Sequence, residues 1–315
     1  MEGLSRIVVA LDTSHALLEE GLTDRGYIVQ RHYQTPLKDL PLHNATGIVV
    51  RSRLPINAAF LSNCPRLEWI MRLGAGMENI DTLAADRRGI CCFSAPEGNA
   101  AAVAEHALGM LLAIRHRLAW AHKEIERGLW LREENKGDEL EGKTVAVIGY
   151  GPMGEAFTQR LQGFGVNILL YDKYKTNYAP SFAKESDWNT LLQEADIVSL
   201  HLPLTDETRN LVNKQWIESF AKPIFLLNTS RGAIASSEAI LQGLESGHLS
   251  GAALDVLDLE KSTLTGLSST VWPPVLQALL AHPRVLITPH IAGWSHESFP
   301  KMAQTLLKKL DNSLI

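Results

Sequence analysis

Short apolar runs recur along the chain, and most end on a polar residue: RIVVAL (6–11), GIVVRS (47–52), LEWIMRL (67–73) and GICCFS (89–94). TVAVIGY (144–150), VNILLYD (166–172), DIVSLHLP (196–203), PIFLLNT (223–229), GAALDVL (251–257) and RVLITPH (284–290) follow. These runs have strand length, and most of the segments between them place apolar residues at helical spacing. Alternation of this kind predicts βαβ units whose parallel sheets are covered on both faces. The first four runs are assigned to one sheet and the six from Thr144 onward to a second. Between them, 98–128 is rich in alanine and leucine and longer than a crossover helix needs to be, which predicts one linker helix. The closing segment 296–315 carries an apolar stripe at Met302, Leu306, Leu307 and Leu310, which predicts a helix that packs back on the first domain. The expected architecture is α/β with two doubly wound parallel-sheet domains: 1–97 completed by 294–315, and 98–293.

Composition agrees with two separate cores: 315 residues, 45% hydrophobic and 21% charged. The net charge of -5, with Lys and Arg scattered, forms no basic stripe for a nucleic acid or an anionic membrane, so a small-molecule partner is expected. The apolar run near the N-terminus is too short for a signal sequence, and no stretch approaches membrane-spanning length, so a cytoplasmic protein is expected. Cys64, Cys91 and Cys92 are odd in number and lack ligand-like spacing to histidines, which argues against a disulfide framework or a metal site. Core packing is the expectation for all three. The polar stretch 261–274, KSTLTGLSSTVWPP, has loop character and suggests no chemistry.

The segment VAVIGYGPMGEAFTQRLQGFGVNILLYD (145–172) places Gly149, Gly151 and Gly154 between a strand and a helix and closes a second strand on Asp172. Glycines in this spacing also serve plain tight turns, but strand, helix and acidic residue about twenty positions on complete the dinucleotide fingerprint. Gly149 permits the turn, Gly151 admits the pyrophosphate and Gly154 lets helix and strand pack closely. The N–H groups of Met153 and Gly154 face the anion, whereas Pro152 has none to offer. Asp172 accepts from the ribose hydroxyls and repels a 2′-phosphate, so NAD is expected over NADP, while Lys173 beside it works against that exclusion.

Ligands of doubly wound sheets sit at the carboxyl ends of strands, where His201, Arg231, Asp255 and His290 fall, with Glu260 just beyond. Hydride transfer at an alcohol carbon requires an acid/base, a cation to hold and polarise the substrate, and a group that orients the base. A histidine, Arg231 and a carboxylate meet that need. Residue pattern does not choose between His201 and His290, since either can be a histidine satisfied by backbone at a sheet edge.

The runs GYGPMG, YD, LHLPLTDET, NTSRG, GAALDVLDLE and TPHIAGWS resemble, in order and spacing, the NAD-binding domain of the D-isomer-specific 2-hydroxyacid dehydrogenases. RSR (51–53), LGAGMENID (73–81) and APEGNAAAVAEH (95–106) look like that family's substrate-domain elements, so the resemblance covers nearly the whole chain. It implies a Rossmann NAD-binding domain, a flavodoxin-like substrate domain, and catalytic Arg231, Glu260 and His290. His201, with Pro203 and Thr208 of the same run, then lines the cofactor together with Thr229, Ser230, Asp255 and Gly293. Ala75 and Gly76 offer N–H groups to the substrate carboxylate. Arg51, Ser52 and Asn99 match positions that hold an anion in phosphoglycerate dehydrogenases, whose short form without a regulatory domain the chain resembles, and the leading single substrate implied is 3-phosphoglycerate. The family commonly has proline after the catalytic glutamate; here Lys261 stands there. Resemblance also implies a homodimer, and LAWAHKEIERGLWLR (118–132), with Trp120 and Trp130, is the segment expected at its interface. The function expected is NAD-dependent oxidation of a D-2-hydroxy acid or reduction of the 2-oxo acid. The alternatives are an NAD-sensing binding protein on the same fold, or a dehydrogenase of formate or phosphite type.

Overall fold

The computed structural model describes residues 5–260 and 271–313. The chain opens with strand β1 (Arg6–Ala10), helix α1 (Ala16–Asp24), β2 (Tyr27–Arg31), β3 (Ala45–Val50) and α2 (Ala58–Ser62). Then come β4 (Trp69–Arg72), α3 (Thr82–Asp86), β5 (Cys91–Ser94), α4 (Pro96–Arg115) and α5 (Leu118–Glu126). Next are β6 (Thr144–Ile148), α6 (Pro152–Leu161), β7 (Asn167–Tyr171), β8 (Lys184–Glu185), α7 (Trp188–Glu194) and β9 (Ile197–Leu200). The rest is α8 (Lys214–Glu218), β10 (Ile224–Asn228), α9 (Ser237–Ser246), β11 (Leu249–Leu254), α10 (Pro274–Ala281), β12 (Val285–Ile287) and α11 (Ser298–Ser313). These form two compact units, Met1–Ala101 with Gly293–Ile315, and Ala102–Ala292. The first boundary falls inside α4.

In the first unit the sheet order is β2-β1-β3-β4-β5, all parallel, the doubly wound order of flavodoxins. Both faces are buried, as the nearly continuous apolar runs require. Val9, Ile48, Val50 and Ile70 pack with Phe60 and Leu61 of α2 and Ala84 and Ala85 of α3. The alternate residues Val8, Ala10, Val49, Trp69 and Met71 pack with Leu18 and Leu22 of α1 and with Met302, Leu306 and Leu310 of α11. The expected stripe therefore meets the first sheet. Gly98, in the first turn of α4, lies so close to α11 that an added Cβ would sit 2.6 Å from Met302 Cα.

The second unit has order β12-β11-β10-β9-β6-β7-β8, again all parallel. Val145, Val147, Leu170, Phe225 and Leu227 cover one face with Ala104, Ala107 and Leu111 of α4 and Phe157 of α6. Ile148, Val198, Leu200, Leu226 and Leu254 cover the other with Trp216 of α8, Ile240 of α9 and Leu279 of α10. Sequential order breaks between β6 and β9, the switch point of a Rossmann sheet.

Several expectations need correction. Each sheet has one strand more than expected. YIVQR gives no clear strand pattern because β2 is an edge strand with only Tyr27 fully buried, which dilutes its apolar signal. The two-residue β8 is too short to carry a period. The linker is two helices, because Arg117 adopts a left-handed φ of 53° between α4 and α5. Its Nε donates to Asn135 Oδ1 at 3.1 Å, which ties the break to the segment after α5. The linker begins two residues earlier than expected, at Pro96, which puts Asn99 within the first turn of α4. Cys64 is buried, yet Cys91 is exposed on edge strand β5 and Cys92 only partly covered. In 118–132, Trp120 packs partly against the second unit's core, whereas Trp130 is 79% exposed, with Leu118, Ile125 and Leu129 also exposed. Lys261 and most of the polar stretch lie outside the described residues. None of the described helices is long and apolar enough to cross a membrane.

Candidate active site

Parallel register puts the residues that follow β6, β7, β9, β10, β11 and β12 along one edge of the second sheet. Gly149 follows β6 with φ +91°, a conformation open to glycine, and a Cβ there would meet the His201 carbonyl oxygen at 2.4 Å. Where a Cβ on Gly151 would point there is open space, while one on Gly154 would strike the Gly149 carbonyl oxygen at 2.0 Å. The first hydrogen bond of α6 runs from the Glu155 N–H to the Gly151 carbonyl. The N–H groups of Met153 and Gly154, ahead of it, are left facing out of the helix, with Pro152 at its start. This cradle, open at one glycine and closed at two, fits a dinucleotide pyrophosphate.

Asp172, directly after β7, accepts from the Tyr150 N–H at 2.9 Å and the Tyr174 N–H at 3.0 Å, one on each oxygen. Two backbone donors fix the carboxylate, and each oxygen keeps a further lone pair for a ribose hydroxyl. Lys173, read from sequence as a cation working against the exclusion of phosphate, instead forms an ion pair with Glu207 at 2.6 Å.

The two candidate histidines differ sharply. His201 Nε2 lies 2.8 Å from Ser199 Oγ, its ring packs against Phe157, and burial pushes its pKa down to about 3. It stays neutral at working pH. His290 exposes 53% of its side chain and places Nδ1 2.7 Å from Glu260 Oε2. That hydrogen bond holds its pKa above the ordinary histidine value, against burial and the opposing charge of Arg231. Glu260 is itself positioned, since its Oε1 accepts the Leu257 N–H at 2.6 Å. The geometry of a base oriented by a carboxylate belongs to His290.

His290 also has a left-handed φ of 54°, unusual for a non-glycine residue. Asp255, 1% exposed, holds that conformation. Its carboxylate accepts from Thr288 Oγ1 (2.5 Å), the Ile291 N–H (2.9 Å) and the Ala292 N–H (2.8 Å), while its carbonyl accepts the His290 N–H (2.8 Å). The structure thus gives Asp255 an internal anchoring task. Gly293 belongs to the first unit, where its carbonyl accepts from Ser298 Oγ.

Arg231 leaves β10 in extended conformation and donates from Nη1 to the Ser230 carbonyl at 2.6 Å. The next residue has to be glycine: a Cβ on Gly232 would lie 1.8 Å from the Leu257 carbonyl oxygen. The Ser230 hydroxyl is committed to the fold, donating to the Leu200 carbonyl and accepting the Leu202 N–H. Thr229 Oγ1, by contrast, is buried with no hydrogen-bond partner among the described residues. Thr208 Oγ1 donates to the Pro203 carbonyl at 2.6 Å, closing the turn after β9.

In the first unit, Arg51 follows β3 and its N–H donates to Asp12 Oδ2 at 2.6 Å. Its guanidinium stacks on Phe299 (4.7 Å) and Trp294 (5.3 Å), and its Nε is buried with no hydrogen-bond partner among the described residues. Asn99 Oδ1 is likewise buried without a partner. Ser52 is exposed, and Ala75 and Gly76 lie in the loop after β4, half-buried.

Sequence reasoning missed His106, whose Nε2 lies 3.0 Å from Thr288 Oγ1, as well as Thr288, Tyr150 and Glu207. His106 had a visible signal, a histidine among alanines and leucines on a helix. The others act through partners brought together only by the sheet.

Residues 108–292 match the family described as D-isomer specific 2-hydroxyacid dehydrogenase, NAD binding domain. A D-3-phosphoglycerate dehydrogenase of Bacillus subtilis is 33% identical over 262 residues, covering 82% of this chain and 47% of the relative. A hydroxypyruvate reductase of Thermotoga maritima is 33% identical over 269 residues, 85% of this chain and 84% of the relative. The chain thus spans about half the length of the first of these and most of the second. Among solved structures, a D-lactate dehydrogenase of Aquifex aeolicus complexed with NAD and lactic acid superposes with TM-score 0.83 at 25% identity, covering 98% of this chain and 95% of that one.

Proposed function

Because the chain belongs to the D-isomer specific 2-hydroxyacid dehydrogenase family, we propose that it moves a hydride between C2 of a D-2-hydroxy acid and NAD. The observation that carries this is the His290–Glu260 pair, 2.7 Å apart, at the same sheet edge as the glycine cradle and the Arg231 loop. Bound NAD supplies the hydride acceptor. In oxidation His290 takes the hydroxyl proton on Nε2 while Glu260 holds Nδ1 and stabilises the imidazolium that forms. In reduction the same imidazolium returns the proton to the oxo oxygen. Arg231 holds the substrate carboxylate and polarises the C2 oxygen. Gly149, Gly151, Met153 and Gly154 hold the pyrophosphate, Asp172 the adenosine ribose, and Thr229, with its unpartnered hydroxyl, an edge of the cofactor.

For the substrate's distal end, the buried Arg51 Nε, a donor without a partner, supports an anionic group, with 3-phosphoglycerate the leading candidate and Asn99 contributing through its amide NH2. The test is turnover with NAD and NADH across 2-hydroxy and 2-oxo acids, phosphorylated and not, with formate and phosphite included. Arg51→Ala should raise KM for the anionic acid; preference for an uncharged side chain refutes that assignment. Absence of turnover with tight NADH binding would point to an NAD-sensing protein instead, which has no need of an oriented histidine.

A cytoplasmic homodimer completes the proposal. The exposed Leu118, Ile125, Leu129 and Trp130 form an apolar face of the second unit that a second copy would cover. Light scattering of Trp130→Arg should show monomer where the native protein shows dimer.

A further inference from the structure

The segment after β7 and the turn after β9 share a charge pair that hydride transfer does not require. Lys173 Nζ lies 2.6 Å from Glu207 Oε2, and the Tyr174 hydroxyl donates to the same oxygen at 3.1 Å. Glu207 is presented by a closed turn in which the Thr208 hydroxyl donates to the Pro203 carbonyl and accepts the Thr205 N–H at 2.8 Å. The next lysine, Lys175, is also occupied, donating to the Tyr150 carbonyl at 2.6 Å. Both lysines that follow Asp172 therefore have an oxygen partner within their own unit. Asp172 itself is fixed by the Tyr150 and Tyr174 N–H groups and pairs with neither lysine.

We infer that Glu207 is a specificity-determining residue: by holding Lys173 it denies the 2′-phosphate of NADP a counter-charge beside Asp172. The inference rests on the proposed task of Asp172 at the adenosine ribose. A lysine ammonium is a mobile point charge on a flexible stem and binds phosphate readily when free. Lys173 adjoins Asp172 in the chain and is the cation placed to do so. Paired with Glu207 it contributes little net charge, and an incoming phosphate meets the carboxylates of both Asp172 and Glu207. The mutual hydrogen bond raises the pKa of Lys173 and lowers that of Glu207, so the pair persists across the neutral range. Because both side chains are more than half exposed, the contact is labile, and its removal should tune cofactor choice without unfolding the loop.

The experiment compares the native protein with Glu207→Gln, Lys173→Met, the double variant and Asp172→Ala. Dissociation constants of NADH and NADPH are read by fluorescence titration, and kcat/KM for NAD and NADP with one 2-hydroxy acid. Glu207→Gln should raise affinity for NADPH relative to NADH about three- to tenfold, the scale of one exposed charge-assisted contact. The gain should shrink in high salt and vanish in the double variant. An unchanged ratio in Glu207→Gln, or a gain that survives loss of Lys173, overturns the inference. An unchanged ratio in Asp172→Ala overturns the assignment of Asp172 itself, and is told apart because that variant leaves the Glu207–Lys173 pair in place.

Discussion

Replacing Glu260 by Gln tests the proposed His290–Glu260 pair with almost no change of shape. Glu260 accepts from the Leu257 N–H on one oxygen and faces His290 Nδ1 with the other, at 2.6 and 2.7 Å. A glutamine has one oxygen. The Leu257 N–H can only donate, so that oxygen stays with it, and the amide NH2 turns to Nδ1, which must then accept. The ring proton is driven to Nε2, the nitrogen that has to take the substrate's proton, and the imidazolium loses its anionic partner. A hydrogen bond to a charged group contributes about 1.5–3 kcal/mol, or roughly 10- to 150-fold at 1.36 kcal/mol per tenfold. Oxidation kcat should therefore fall on the order of 10²-fold with NADH affinity unchanged. The pH profile supplies the sign. Glu260 raises the His290 pKa, so in the native protein oxidation, which needs neutral imidazole, fades as pH falls through that raised value. Reduction, which needs imidazolium, fades as pH rises through it. Without the carboxylate the pKa drops, and both limbs should move to lower pH. Stopped-flow single turnovers across pH in both directions are the assay; limbs that stay in place, or a loss carried wholly by cofactor binding, would refute the mechanism.

His290→Ala should lower turnover on the order of 10²- to 10⁴-fold while NADH titration changes little, and His201→Ala should cost less turnover, because the buried neutral ring packs on Phe157 rather than moving a proton; the reverse ranking in steady-state rates would contradict the assignment. Asp172→Ala should narrow the preference for NAD over NADP in kcat/KM, and a native protein using both equally would contradict its role. Gly232→Ala forces a methyl against the Leu257 carbonyl oxygen, on the loop that presents Arg231. Thermal unfolding should show a loss of about 1–3 kcal/mol, with an unchanged Tm as the contrary result.

What the sequence by itself determined are the features written within a window of some ten to thirty residues. Continuous apolar runs such as IVV at β1 and AVI at β6 announce strands buried on both faces, because a parallel sheet covered on both sides leaves no polar alternation. Gly149 and Gly154 announce a cradle because each answers a local backbone requirement, and Gly151 and Asp172 complete its spacing. Polar residues at the ends of these runs mark the sheet edge, which picks out His201, Arg231, Asp255 and His290, and the family resemblance prefers His290 to His201. Only the tertiary structure supplies a physical ground for that preference: one ring is buried on Phe157, and the other is held by a carboxylate thirty positions away along the chain. It likewise decided that Lys173 faces Glu207, that Asp255 anchors the His290 turn through Thr288, and that the Ser230 hydroxyl ties β10 to β9. It placed Cys91 in solvent and broke the linker helix at Arg117. Each of these depends on which strands become neighbours and in what register, and hydrogen bonds between such distant residues leave no period along the chain.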